Sequence, residues 1–367
     1  MKSIVPESKK ISPFLVFFLI VSMQIGVGIL GFQRFIAKTA GYDAWISIII
    51  TGLAIHIIMW MILKMLSITN GDFITIHTFV LGNKLGKMVS SIFILYLSLF
   101  AVTVLRSYIE IVQVWMFPDL ETFWFALVFF LLVIYIVNGG FKTIAGIAFF
   151  SIVLPFYIAV MFVVTIPYSD FTNLLPIFDH SVKELLLASR DMSFTVLGFE
   201  TILFYYPFIQ EQEKSKKWVH LGLLFTTVVC LYLAVLTFAY FSEAQLQKNV
   251  WPTLTMWKII KLPFVERFEY IGIANWFLII LPNVCICLWC ASRLAKQLFS
   301  IRQKATIPTI SILCFIATCF MTTREQINMV TDITAKVGFY FNMIYIPILF
   351  AGTLIAKKVR NREKNTT

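Results

Sequence analysis

Apolar runs long enough to cross a bilayer dominate this chain. Ten qualify, at about 12–37, 43–66, 88–116, 121–138, 143–166, 184–208, 216–242, 269–293, 304–322 and 336–356. A hydrocarbon core about 30 Å thick takes about 20 residues of helix. Inside lipid the backbone polar groups of such a helix satisfy one another. Together these conditions leave an all-α polytopic membrane protein. Charged residues make up 13% of the 367, and mean hydropathy is +0.87. A soluble domain carries roughly 25% charged residues, so lipid must be the solvent for much of this surface. The 37 phenylalanines suit a lipid-facing wall.

The formal charge of +11 does not indicate nucleic acid, because the lysines and arginines lie in short loops between apolar runs and not on one continuous face. Ten spans return both termini to one side. With the N-terminus cytoplasmic, that side holds 19 Lys and Arg against 10 outside, Arg106 lying within a span. The bias has the sign of cytoplasmic loops, so both termini are expected inside. Lys2, Lys9 and Lys10 resemble the start of a signal peptide, but the apolar stretch from Ile11 to about Ile36 is too long and lacks a small-residue cleavage pattern. It reads as the first span.

Cys285, Cys287 and Cys290 resemble a metal cluster. On a helix, positions 285 and 287 point about 200° apart, so they cannot share an ion without unwinding. With Cys230, Cys314 and Cys319 they are expected as buried, inert thiols. No His/Asp/Ser constellation, metal spacing or phosphate-cradling loop appears, so no enzyme activity, metal or cofactor is expected.

Two spans carry a helix-breaking pattern. Span one contains Gln24-Ile25-Gly26-Val27-Gly28-Ile29-Leu30-Gly31 near its middle. Three glycines weaken a helix there, although close helix packing explains this stretch equally well. Span six contains Ser193-Phe194-Thr195-Val196-Leu197-Gly198-Phe199-Glu200-Thr201, with Pro207 following. A carboxylate at that depth should face the interior, either bonded within the bundle or touching a ligand. Each weak point opens a five-span half, the pattern of inverted-repeat transporters with broken helices at a midplane site. The chain 1–367 therefore reads as a single integral membrane domain, ten helices in a 5+5 inverted-repeat bundle, its halves about 12–166 and 184–356. Free N–H groups at a break bind a carboxylate and free C=O groups an ammonium. An amino acid offers both.

Gly26-Val27-Gly28-Ile29-Leu30, Gly198-Phe199-Glu200, and Trp251-Pro252-Thr253 followed by Glu266-Arg267-Phe268-Glu269 resemble the B subunit of spore germinant receptors. That family belongs to the amino acid–polyamine–organocation superfamily. Gly41-Tyr42-Asp43-Ala44-Trp45-Ile46 and Asn173-Leu174-Leu175-Pro176 fit as well, and the resemblance runs from about residue 10 to 358. Relatives usually place a proline shortly after Gly-Ile-Leu, whereas this chain has Gly31-Phe32-Gln33; a less rigid kink in the outer half of span one is the expectation. The resemblance implies a germinant-sensing subunit in the spore inner membrane, acting with an A subunit and a lipoprotein C subunit. It also implies that an amino acid or similar small nutrient binds a transporter-like pocket and triggers germination.

The expected substrate-binding residues are Gln24, Gly26, Val27 and Gly28 on span one, with Leu197, Gly198, Phe199 and Glu200 on span six. Phe100 and Val104, one face of span three, and Phe341 of span ten complete the set, although ordinary bundle packing accounts for the aromatics equally well. Arg106 and Glu110 read as an interfacial i, i+4 pair, and His56 as a solitary interior histidine. Asn275 and Asn283 read as interior residues with structural hydrogen bonds. Residues 72–87 read as a short cytoplasmic helix. Residues 243–268, with Trp251, Trp257 and Phe264, suggest an interfacial helix over the bundle mouth. In related transporters span five often supplies a lysine and span eight adjacent hydroxyls for ion coupling; neither is visible here. Their absence favours a receptor, an amino acid permease being the alternative.

Overall fold

The computed structural model describes residues 5–261, 263 and 265–366; Lys2 and Phe264 lie outside them. Among the described residues the chain is helical, with no strand longer than an isolated bridge. In chain order its helices are α1 (Leu15–Gln24), α2 (Phe32–Ala40), α3 (Ala44–Thr69), α4 (Phe73–Leu81), α5 (Asn83–Trp115), α6 (Thr122–Asn138), α7 (Phe141–Val153), α8 (Phe156–Met161) and α9 (Val182–Thr195). Then come α10 (Ile202–Tyr205), α11 (Gln212–Tyr240), α12 (Glu243–Lys248), α13 (Pro252–Trp257), α14 (Phe268–Phe299), α15 (Gln303–Phe320), α16 (Arg324–Tyr340) and α17 (Ile346–Thr366).

Ten passages result. The first is α1 plus α2 and the sixth is α9 plus α10, each interrupted where the glycines fall. The fifth is α7 and α8, offset at Pro155. The tenth is α16 and α17, joined through a π-turn at Phe341–Tyr345 just before Pro347. A proline inside a helix lacks an N–H and crowds the preceding turn, and the wider π-turn relieves that crowding. The remaining passages are single helices: α3, α5, α6, α11, α14 and α15. An even number of passages returns the described ends, the segment before α1 and the end of α17, to one face of the bundle, the terminal face; the other is the far face. The tenth passage begins at Arg324, well before the apolar run at 336. Its first half carries Arg324, Glu325, Asp332 and Lys336, so hydropathy alone conceals it.

α14 is the most enclosed of the long helices, packed against α5, α7 and α15. Its thiols Cys285, Cys287 and Cys290 are free and buried. Near the far face, the short helix α13 does not lie on a lipid interface. Trp257 is fully buried, and its ring atoms lie 2.5 Å from where a Cβ on Gly272 would be. Gly272→Val is therefore expected to lower stability by about 1–3 kcal/mol through overpacking. A fall in the melting temperature of the purified protein checks this, and an unchanged value would mean that Trp257 shifts freely.

Two further side chains depart from the expected pattern. Arg106 does not pair with Glu110: its Nε donates to the Met321 carbonyl at 2.8 Å, closing the end of α15. Glu110 pairs with Arg324 instead. His56 is not solitary, since its Nδ1 lies 2.8 Å from Nδ1 of His220 on α11. α3 and α11 approach closely there because Gly52 has no side chain to meet Thr227.

Candidate ligand-binding site

α1 runs out at Gln24. Gly26 is extended (φ −129°, ψ −150°), and Val27–Leu30 tighten into a 3-10 turn before α2. The break forms with no proline within it. Among the described residues the N–H groups of Gly26, Val27 and Gly28 find no acceptor. In the sixth passage α9 ends at Thr195, and Gly198 takes φ +103°, which glycine adopts at little cost. A Cβ there would also sit 2.9 Å from the Met23 carbonyl oxygen. Gln24 ties the two breaks together, its Nε2 donating to the Val196 carbonyl at 3.1 Å.

Between the breaks lies a cavity of 220 Å³. Met23, Val27, Phe100, Val104, Phe194 and Leu197 supply its apolar wall. Toward the far face the lining becomes polar, with Thr103, Ser107, Asn328 and Thr331. At that end Arg324 Nη1 donates to Glu110 Oε1 at 3.0 Å, and the guanidinium lies 4.9 Å from the Trp251 ring centre. Trp251 is held by its neighbour Thr253, which accepts from Gln33 Nε2 at 2.9 Å and donates to the Ile29 carbonyl at 3.3 Å. Gly31 permits this clamp, since its Cβ would stand 2.8 Å from the Val250 carbonyl oxygen. The Trp251-Pro252-Thr253 motif thus fastens a far-face segment to the first break.

Asn283 of α14 borders the same cavity and is 1% exposed. Neither of its amide atoms has a partner, and Gln24 Oε1 is unpaired too. Asn283 Nδ2 lies 3.2 Å from the position a Gly26 Cβ would take. A buried polar group left unsatisfied costs about 1–3 kcal/mol, so these atoms need a reason. Asn275 differs, donating to the Ile271 carbonyl at 2.9 Å. Sequence reasoning treated the two asparagines alike; nothing in their spacing separates them, and only packing does.

Glu200 is 1% exposed and does not line the cavity. Its two oxygens accept from the Tyr96 hydroxyl at 2.7 Å and from the Gly198 N–H at 2.8 Å. A carboxylate thereby closes the positive end of the inner half of the sixth passage, so that end is not open to a ligand. Of the expected residues, Gln24, Gly26, Val27, Gly28, Phe100, Val104 and Leu197 border the cavity. Gly198, Phe199, Glu200 and Phe341 do not. Phe341 lies nearer the terminal face, 4.6 Å ring to ring from Phe93. It falls short because Thr334 and Ala335, about two turns outward, are the residues that meet the cavity. Among the residues bordering the cavity that sequence reasoning left out of the set are Asn283, Arg324 and Trp251.

Comparison with known proteins places this geometry. Residues 10–327 match the family described as spore germination protein. Spore germination protein GerQB of Bacillus cereus is 43% identical, the match covering 94% of this chain and 96% of that protein. Spore germination protein A2 of Bacillus subtilis strain 168 is 20% identical over 96% of this chain and 97% of its own. Among solved structures, MhsT in complex with L-phenylalanine superposes with a TM-score of 0.61 at 12% identity, covering 94% of this chain and 98% of that one. A Na+-coupled sialic acid symporter in a substrate-bound outward-open state gives 0.66 at 10% identity, covering 95% and 79%. At such identities the likeness concerns the fold, which is that of 5+5 inverted-repeat transporters with broken first and sixth helices. The family match takes in both breaks and the Trp251-Pro252-Thr253 clamp, and the chain belongs to the spore germination protein family.

Proposed function

We propose that this protein is the germinant-sensing membrane subunit of a spore nutrient receptor, and that the cavity between the two breaks takes an amino acid or a similar small nutrient. The observation that carries this is the unpartnered Asn283 amide beside the free N–H groups of Gly26, Val27 and Gly28. A carboxylate fits those N–H groups. An ammonium fits Gln24 Oε1, Asn283 Oδ1 and the carbonyl ends of α1 and α9. The apolar wall of Phe100, Val104 and Leu197 suits an uncharged side chain. That the same fold holds L-phenylalanine in MhsT supports the reading. The bound residues are Gln24, Gly26, Val27, Gly28, Phe100, Val104, Leu197 and Asn283; Glu200 and Phe341 act from behind them.

The subunit sits in the spore inner membrane with both termini cytoplasmic, beside an A subunit and a lipoprotein C subunit. The bias of 19 basic residues against 10 supports that orientation. Deletion followed by a nutrient panel on dormant spores tests the function. The expected result is loss of germination with one class of nutrient; normal germination with every nutrient would overturn it. Counterflow of labelled amino acids in proteoliposomes would instead indicate a permease.

Asn283→Leu separates recognition from folding. Both amide atoms are without a protein partner, so the substitution breaks no hydrogen bond within the protein and the melting temperature should hold or rise. Affinity for the responsive nutrient should fall about 10-fold or more, as expected for one lost hydrogen bond to a charged group. Unchanged binding by titration of nanodisc-embedded protein would remove Asn283 from the site.

A further inference from the structure

Two charged side chains on the outward face of α16 are out of place in lipid. Gly338 is level with the break in the sixth passage: a Cβ on it would stand 2.6 Å from Leu197 Cδ1 and 2.9 Å from the Tyr96 hydroxyl. At about 1.5 Å of rise per residue, Lys336 lies about 3 Å and Asp332 about 9 Å farther toward the far face. Both depths fall within the half-thickness of the hydrocarbon, about 15 Å. Both residues are exposed, and their i, i+4 spacing sets them on one stripe. Each lies about 200° round the helix from Thr334, whose hydroxyl faces inward to Thr103 at 2.8 Å. The stripe therefore faces away from the cavity.

Among the described residues no hydrogen bond or ion pair engages Asp332 or Lys336. Beside them run Met329, Ile333, Val337 and Tyr340, between 42% and 58% exposed. The adjoining helix α9 meets α16 through Phe194 and Phe339, 5.8 Å ring to ring. It shows Arg190, paired with Asp191 at 2.9 Å, on its own outward side. Charges open to lipid at such depth are rare, and intramembrane charges pair with one another or with backbone. Lipid satisfies the apolar residues as well as a helix would, so it is the polar pair, able to bond across to another helix, that marks this face for a partner.

We infer that this face of α16 docks a transmembrane helix of a different polypeptide, one that sets a carboxylate level with Lys336 and a basic or amide side chain one turn outward, level with Asp332. A second copy of this chain fits poorly. A two-fold axis along the membrane normal would bring Asp332 to the depth of its own counterpart and Lys336 to its own, like charge against like. The inference is independent of what the cavity binds, and so is its test.

The photo-crosslinker p-benzoylphenylalanine at Ile333, which leaves both charges in place, is activated in native spore membranes, with Leu131 on the lipid-exposed face of α6 as control. The expected adduct at 333, absent at 131, contains a transmembrane peptide of another polypeptide that carries an acidic residue. Its yield falls at least 10-fold in Lys336→Asp and in the double variant Asp332→Leu, Lys336→Leu. The purified double variant in nanodiscs should melt at or above the wild-type temperature, because lipid accepts leucine at both positions. Lipid-only adducts, an adduct with a second copy, or undiminished yield in the double variant would overturn the proposal. So would a lower melting temperature, which would place these charges against the protein's own bundle.

Discussion

Gly26→Leu is expected to abolish the response to every nutrient the intact protein detects, with the protein still present in the membrane at its normal level. The added side chain starts 3.2 Å from Asn283 Nδ2 and projects into a cavity of only 220 Å³. It fills the space between the two breaks and hinders access to the neighbouring N–H groups. Gly26 itself is extended, at φ −129°, so leucine meets no backbone strain and the break can persist. Affinity should drop by about 100-fold or more, equivalent to about 2.7 kcal/mol. Titration of the nanodisc-embedded protein and germination assays with an immunoblot read the effect. Full sensitivity at normal protein level would mean that the ligand binds elsewhere.

The second large effect falls on stability. Glu200→Ala strands the Tyr96 hydroxyl and the Gly198 N–H, both of which donate to the carboxylate in the intact protein. Each buried donor left without an acceptor costs about 1–3 kcal/mol, and the pair about 2–6 kcal/mol. The expected result is a large fall in melting temperature and a depleted membrane fraction. Glu200→Gln retains one acceptor oxygen and should lie between. Because Glu200 does not border the cavity, the Gln variant that remains folded should bind nutrient within about threefold of wild type, or about 0.65 kcal/mol. A variant of normal stability with weakened binding would reverse this, making Glu200 part of recognition.

Much of the architecture was legible in the residues. Ten apolar runs specify ten passages because lipid leaves a backbone no other way to satisfy its polar groups. The glycines at 26, 28 and 198 mark both interruptions, since no other residue reaches φ +103° as readily as Gly198 does. What the pattern hid is instructive. The first half of the tenth passage is too polar to register as a span: Arg324, Asn328, Thr331 and Thr334 border the cavity, while Asp332 and Lys336 are exposed on the opposite side. Arg106 and Glu110 satisfy the i, i+4 spacing yet bond elsewhere, because Met321 and Arg324 approach from distant parts of the chain.

The site divides in the same way. Sequence by itself determined where the two helices must part, because helix-breaking is a local property of the residues at the break. It also determined that an interior carboxylate sits beside one of them. Only the tertiary structure decided that Glu200 closes its own break while Asn283 is left without a partner beside the other. Which polar atoms are satisfied depends on residues brought together from four separate passages, and no local pattern encodes those distances.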